Sequence, residues 1–573
     1  MNLAPPTDAE AWPSRRVRLL ALGVLALLWL PALLRGGWAL DDRELLFGNP
    51  VVDGSLPWSA AFTRDYFHHL GDVGQWRPLA SLSLRLDRWL FGESVLGYHL
   101  VNGALHLAVV AAALALLRRL EVPARVAFLG LGLFALHPAL VDSVVWIAGR
   151  TSMLAALFPL LGALGAEAAW SRGRATWVGA STAAAGLGLG LLAKEDALVF
   201  APGLVLLAAR RGRGQGWATA VAVLVVSAAC FGGRALVFGE LLPKATTPAL
   251  GSADLPARLE AGGLALVEAL RLALLPLDHP PQYRLELLLR RAEPAPPWLV
   301  AGLGWALWLT PFALLIFVRG AARRLAPWAA ALAALACLPL TQLVPIGELF
   351  APRFLYLPLL FAAPVTGMAL ARLCPRRRAA AGVLSLGVVL LLTTLTTRRA
   401  GIYASRGAWR AEVLRHQPGD APSWNDLGLL HEEEGDVAGA RAAWRRAIEL
   451  DPRYSKGWSN LGRVQLEAGE TEAAEASLRA ALAAGPRNPV PRLNLAILET
   501  RRGRHAEAAE LYRAAARLSP GLASAWRGLA GALLELDQRA EAEAAWERAR
   551  GLDPDHPAAH TLRRRLDAAR REP

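Results

Sequence analysis

Cysteine is almost missing from this 573-residue chain, which has three: Cys230, Cys337 and Cys374. All lie in or at the end of apolar runs, with no C-x-x-C pair and no histidine at ligand spacing, so neither a disulfide framework nor a zinc site is indicated. A cleavage signal is missing too. Trp38 to Asp42 offers no small-x-small site after the apolar stretch Leu19 to Leu34, which therefore reads as an uncleaved span and not as a signal peptide. The third absence is net charge in the last third. From Ala421 to Pro573 there are 23 basic and 23 acidic side chains, so the formal charge of +14 resides upstream. There it falls in short clusters beside apolar runs, at Arg15-Arg16, Arg118-Arg119, Arg210-Arg211-Gly212-Arg213 and Arg376-Arg377-Arg378. That pattern indicates positive-inside membrane topology and no nucleic-acid partner. With 54% hydrophobic residues and a mean hydropathy of +0.31, the chain is too apolar for an ordinary soluble protein.

What is present in the last third is a repeat. Pro418, Pro452, Pro486, Pro520 and Pro554 are each 34 residues apart, and Leu427, Leu461, Leu495 and Leu529 keep the same step. Trp424, Trp458 and Trp526 do so as well, with Arg492 filling the one lapse. Ala440, Ala474, Ala508 and Ala542 are each followed four residues later by a large side chain, Trp444, Leu478, Tyr512 and Trp546. This is the tetratricopeptide pattern of two antiparallel helices, a small residue where they cross and a proline ending the second. Four repeats are expected over 421–454, 455–488, 489–522 and 523–556, a capping helix and tail over 557–573, and a linker or half-repeat helix over 399–420. Such arrays stack into a solenoid with a concave groove.

Upstream, residues 1–398 read as a multi-pass membrane domain. A crossing helix needs about 20 apolar residues, which places eleven spans near 18–36, 97–117, 124–140, 152–170, 175–193, 196–210, 216–237, 297–317, 326–345, 352–372 and 379–397. With a cytoplasmic N-terminus the arginine-rich loops fall inside, and the odd count puts the repeats outside. Leu255 to Pro276 is apolar but carries Arg258, Glu260, Glu268 and Arg271, so it reads as interfacial or re-entrant; if it spanned, the repeats would move inside. Gly37 to Gly97 forms a long outer loop of the kind that carries function. The fold class is all-α: a polytopic transmembrane bundle followed by an α-solenoid.

Several polar groups gather toward the outer side. Asp41-Asp42 follows the first span, and Gln75-Trp76-Arg77-Pro78-Leu79 sets a cation beside an indole, before an amphipathic stretch with Arg85, Asp87 and Arg88. His99, Asn102 and His106 share one helix face, where interhelical hydrogen bonding is favoured over metal ligation. His137-Pro138 ends the third span, and Asp142, Trp146 and Arg150 follow. Lys194-Glu195-Asp196 interrupts two apolar runs, and Arg353 and Tyr356 open another. Asp41 or Asp42 beside Arg77, Arg150, Lys194 and Arg353 supplies a carboxylate base and cations for a lipid phosphate.

At these residues the chain resembles the transmembrane and tetratricopeptide-repeat O-mannosyltransferases and their bacterial relatives, within the C-type integral membrane glycosyltransferases. The likeness rests on Asp41-Asp42, Trp76 to Leu79, Tyr98 to His106, Phe134 to Pro138, Trp146 to Arg150, Leu192 to Asp196 and Arg353 to Pro358, in that order. It implies a polyprenyl-phosphate-linked sugar donor such as a mannosyl lipid, an acidic base in the first outer loop, and transfer to a protein or glycan hydroxyl bound by the repeats. The expected setting is a bacterial plasma (inner) membrane with the repeats on the extracytoplasmic side, and no cofactor or metal is required. The rivals are a catalytically inactive membrane-anchored scaffold and a cell-surface polysaccharide polymerase or ligase.

Overall fold

The computed structural model describes residues 12–67, 74–241, 253–317, 325–343, 348–373, 378–553 and 562–566. Among these the regular structure is helical, with one isolated bridge between Tyr283 and Phe350. The chain divides into two compact units, Met1–Glu412 and Val413–Pro573. The division falls inside the helix Arg406–His416, so the 399–420 stretch contributes to both units.

In the second unit the repeat arithmetic becomes four helix pairs: Ala421–Glu433 with Val437–Leu450, Ser455–Glu467 with Thr471–Ala484, Pro489–Arg501 with His505–Leu518, and Ala523–Glu535 with Arg539–Leu552. Ala440, Ala474, Ala508 and Ala542 are fully buried at the crossings, and Trp444, Leu478, Tyr512 and Trp546 fill the space beside them. Each such large side chain contributes about 1.5–3 kcal/mol on burial. The tryptophan series has a bonding role as well. Trp424, Trp458 and Trp526 donate Nε1–H to the carbonyls of Pro418, Pro452 and Pro520 at 2.9, 3.0 and 2.9 Å. Arg492 makes the equivalent bond to Pro486 at 2.7 Å, which explains why a cation can take the indole's place. Of the expected capping helix, residues 562–566 are helical and Leu562 and Leu566 are buried against the last pair; its remainder lies outside the described residues.

The turn inside each repeat needs a left-handed residue. Gly435, Gly469 and Gly503 supply it with φ of 81°, 78° and 74°, and the fourth repeat uses Asp537 at φ 59°. A Cβ in that region costs about 1–2 kcal/mol, less for aspartate. Asp537→Gly should therefore stabilise the last repeat by about 0.5–1 kcal/mol, read as slower amide exchange over 523–552 in the full chain. Unchanged or faster exchange would show that the Asp537–Arg539 ion pair outweighs the strain.

In the first unit, seven described helices are long and apolar enough to cross a membrane: Arg15–Arg35, Val95–Arg119, Ile147–Ser171, Arg213–Phe238, Pro297–Leu315, Pro352–Leu373 and Val383–Ala404. An eighth crossing results if Ala124–Ala135 and Pro138–Val144, bent by 52°, count as one. The other three expected spans are shorter helices, Thr176–Leu191, Phe200–Ala209 and Leu325–Ala336. By length and composition, then, the described residues give seven or eight crossing helices, and these three fall below that length. Ten residues rise only about 15 Å against a bilayer core of about 30 Å, and the chain before Phe200 is diverted into a 3-10 turn at Glu195–Val199 by its three charged residues. Leu255–Leu274 is a helix buried against Pro297–Phe317, where a Cβ on Gly263 would lie 2.5 Å from the Ala301 carbonyl. Its Glu268 is buried and paired with Arg271 at 2.6 Å and with Arg291, so its charge is neutralised inside the protein.

The described residues of the 37–97 loop are structured. They fold into Asp42–Phe47, a 3-10 turn at Trp58–Phe62 and the amphipathic helix Pro78–Phe91. Their ties to the bundle bring several helix ends together. Gly37 N–H donates to Tyr403 at 2.8 Å and Leu79 N–H to Leu192 at 3.0 Å. The arginine loops meet at the opposite end, where Arg119 reaches the Leu164 carbonyl at 3.5 Å and Arg211 pairs with Glu167 at 2.5 Å. Arg323-Arg324 and Arg376-Arg377 lie outside the described residues, as does Cys374.

Candidate functional site

The site grows from one broken helix. Ala124–Ala135 stops before His137-Pro138 because proline cannot continue the hydrogen-bond ladder, and the chain then bends through Pro138–Leu140, Val141–Val144 and Ile147–Gly149 before Arg150–Ser171 begins. Carbonyls freed by the break need donors in apolar surroundings. Facing helices provide them. The Ala135 carbonyl accepts from Trp29 Nε1 at 2.7 Å and from His106 Nε2 at 3.1 Å, and Leu136 accepts from Thr396 at 2.9 Å. Because His106 Nε2 faces a carbonyl it carries the proton, leaving Nδ1 to accept from the Tyr356 hydroxyl at 2.9 Å. Asn102 Nδ2 donates to Trp146 at 3.1 Å. His137 Nδ1 accepts from Ala139 N–H at 3.2 Å while Nε2 donates to the Ala273 carbonyl at 3.1 Å. His99 is buried beneath Gly36, where a Cβ would lie 2.5 Å from its Nε2.

Asp41 and Asp42 follow a tight turn in which Leu40 holds φ of 50°, a region unusual for a branched residue. That turn folds the two carboxylates back onto the bundle. Asp42 is fully buried and its Oδ2 accepts from Ala39 N–H at 3.1 Å, while the Oδ1 of each aspartate is buried without a donor. Burial pushes Asp41 up to about 6, opposed by the nearby Arg353 guanidinium. Asp42 is driven well above the ordinary carboxylate range, first by burial and then by the adjacent Asp41 charge. One end of the pair thus holds a base that titrates close to neutrality.

The four predicted cations surround this region, and each has an acidic partner. Arg353 stacks over Trp146 at 4.9 Å and pairs with Glu348; Lys194 pairs with Asp196 and lies 3.4 Å from the Ser152 hydroxyl. Arg77 lies over the Tyr66 ring at 5.6 Å and 3.7 Å from Glu195. Arg150 differs in kind: it is fully enclosed, bound to Asp87 at 2.6 Å and within 3.5 Å of Ser83 Oγ. The first three are 18%, 9% and 12% exposed at the side chain, and their partners Glu348, Asp196 and Glu195 are 28%, 22% and 30% exposed, so these carboxylates can yield to an incoming anion. Asp87 cannot. Trp76 donates Nε1–H to Phe62 at 3.0 Å, holding the loop that carries Arg77. Asp142 is fully buried and faces Arg399 at 3.5 Å.

Asp41, Asp42, Trp146, Arg150 and Arg353 thus come together, with Arg77, Lys194, Glu195 and Asp196 beside them. Asn102, His106, His137 and Tyr356 serve the helix break instead. Sequence reasoning missed Tyr66, Glu348, Arg399 and Tyr403, and left Asp87 without a role. A signal for Asp87 existed: with Ala80, Ser81 and Leu84 it forms the buried stripe of Pro78–Phe91. Nothing local marks Tyr66, which is enclosed by long-range packing.

Residues 404–455, 425–489, 459–523 and 499–566 match the tetratricopeptide repeat family. The chain carries tetratricopeptide repeats. It is also similar to protein O-mannosyl-transferase Tmtc1 of Drosophila melanogaster, 36% identical over 133 residues that make up 22% of this chain and 15% of that protein. Drosophila Tmtc2 is 33% identical over 133 residues, 22% of this chain and 14% of its own, and human TMTC2 32% over 135 residues, 23% and 16%. The matches thus span about a seventh of each relative's length. Among solved structures, MamA is 21% identical over 27% of this chain and 86% of its own, and YrrB, a TPR protein, 18% over 34% and 96%, each with a TM-score of 0.24, too low to carry an argument.

The enclosed Arg150–Asp87 pair makes a clear forecast. Asp87→Asn strands a buried guanidinium and should destabilise the bundle by about 3–5 kcal/mol, whereas Asp87→Leu with Arg150→Met should recover most of that loss. Denaturation in detergent measures both. A double variant as unstable as Asp87→Asn would mean that Arg150 has a role beyond this pairing.

Proposed function

We propose that this chain is a membrane O-glycosyltransferase that moves a sugar, mannose by its likeness to the named relatives, from a polyprenyl phosphate to a hydroxyl of a protein presented by the repeats. The observation that supports it best is the Asp41-Asp42 pair, Asp42 fully buried and both Oδ1 atoms enclosed without a donor, beside cations whose carboxylate partners can be displaced. In this reading the acceptor hydroxyl oxygen attacks the anomeric carbon as the bond to the lipid phosphate breaks, with inversion. Asp41 accepts the hydroxyl proton, while Arg353, Lys194 and Arg77 neutralise the departing phosphate. Arg150 holds the Asp87 and Ser83 side chains of the adjoining helix. The reaction takes place at the extracytoplasmic face of the plasma membrane. In the repeats, Asn494 Nδ2 is buried without an acceptor and Asn460 donates to Asn425 at 2.9 Å, polar groups suited to an extended polypeptide.

The second reading is a catalytically inactive scaffold, and what favours it is that all four cations already hold carboxylate partners. Activity decides between them. Asp41→Asn should lower transfer by about 10²- to 10⁴-fold with donor binding retained. Since a base works deprotonated, the parental rate should fall as pH drops below about 6, where Asp41 takes up its proton. Parental rates in both Asp41→Asn and Asp42→Asn would overturn the assignment. Deleting 421–573 should weaken transfer to the natural acceptor while donor binding stays nearly intact; equal loss of both would show that the array supports folding of the bundle.

A further inference from the structure

At the end of the bundle away from the aspartates, a cavity of about 530 Å³ opens between the start of Arg15–Arg35 and the finish of Val95–Arg119. Arg15 and Arg18 line it from one helix, and Arg118 and Arg119 from the other. Arg15 and Arg18 are three apart and share a face. Among the described residues no carboxylate lines the cavity and none of the four has an ion pair, and there Arg18 and Arg119 reach the carbonyls of Pro13 and Leu164, at 2.5 and 3.5 Å. Four guanidiniums converging in this way repel one another unless an anion joins them. The rest of the lining is aliphatic, including Leu19, Leu22 and Ala115, which a free inorganic anion has no use for. Both helices are long and apolar enough to span a membrane, so the cavity sits at an interface, with guanidiniums at headgroup depth and leucines toward the acyl chains.

We propose that this cavity is a binding site for the phosphate headgroup of an anionic phospholipid. Guanidinium forks match phosphate oxygens bidentately, and basic pockets between membrane helices are suited to such headgroups. The 21-residue first helix separates the cavity from Asp41 by about 30 Å. The bound lipid is therefore a structural one in the opposite leaflet and not the reacting donor, and the proposal stands whether or not the transfer chemistry does.

Native mass spectrometry of the full chain, exchanged into detergent with phosphatidylglycerol or phosphatidylcholine, tests it. The parent should retain phosphatidylglycerol in preference, and Arg18→Gln with Arg118→Gln should lower that retention more than about tenfold, given roughly fivefold per basic side chain near an anionic surface. Ala115→Trp, which fills the cavity and leaves every arginine in place, should also lower it, covering the case in which the arginine variant fails to insert. Arg172→Gln with Arg174→Gln, at the same end of the bundle, should leave it unchanged. Equal retention of both lipids, retention unaffected by Ala115→Trp, an equal loss in the Arg172 and Arg174 control, or displacement by millimolar inorganic phosphate would each overturn the proposal.

Discussion

A helix broken inside an apolar bundle leaves carbonyls that only neighbouring side chains can satisfy, and most of the membrane unit is arranged around that need. The break at His137-Pro138 frees the carbonyls of Ala135 and Leu136, and the irregular stretch after it adds that of Trp146. Trp29, Asn102, His106 and Thr396, from three different helices, answer them. An unsatisfied backbone group at membrane depth costs several kcal/mol, so these bonds lock the helices in register. The polar face of Val95–Arg119 is thus a consequence of the proline downstream.

That locking positions the acids and cations. With Gly36 and Gly37 pressed against His99 and Tyr403, the chain leaves the first span at a fixed point, and the strained Leu40 turn returns Asp41 and Asp42 to the interior. The stretch 146–150, tied to Asn102, brings Trp146 under Arg353 and Arg150 into reach of Asp87. Burial then sets the chemistry. A carboxylate kept from water holds its proton to higher pH, and Asp41 is pushed up to about 6 in this way. Three of the cations pair with partly exposed acids, whereas Arg150 is enclosed with Asp87.

The repeats obey a simpler rule, since each unit touches chiefly its neighbours. Their repeat bounds, proline register and crossing alanines were legible residue by residue because every determinant lies within one 34-residue period. Arg492 shows the limit of such reading. Its place in the tryptophan series looked like a lapse until its bond to Pro486 showed that the position requires a donor, which either side chain provides.

The amino-acid order alone determined the helical class, the membrane character, the repeat register and part of the set of acidic and basic groups that meet, because apolar run length, period and charge placement are local properties. Three of the expected crossings are shorter helices, since hydropathy measures apolar content and not how far a helix extends before charged residues such as Lys194, Glu195 and Asp196 turn the chain. Only the tertiary structure decided the roles within that set. Which cation is enclosed and which can be released, and why His106 bonds a carbonyl while Asp41 keeps a free oxygen, depend on partners such as Asp87, Glu348 and Ala135. Those partners lie tens to hundreds of residues away, and burial, which shifts an acid's proton affinity, exists only once the chain has closed around it.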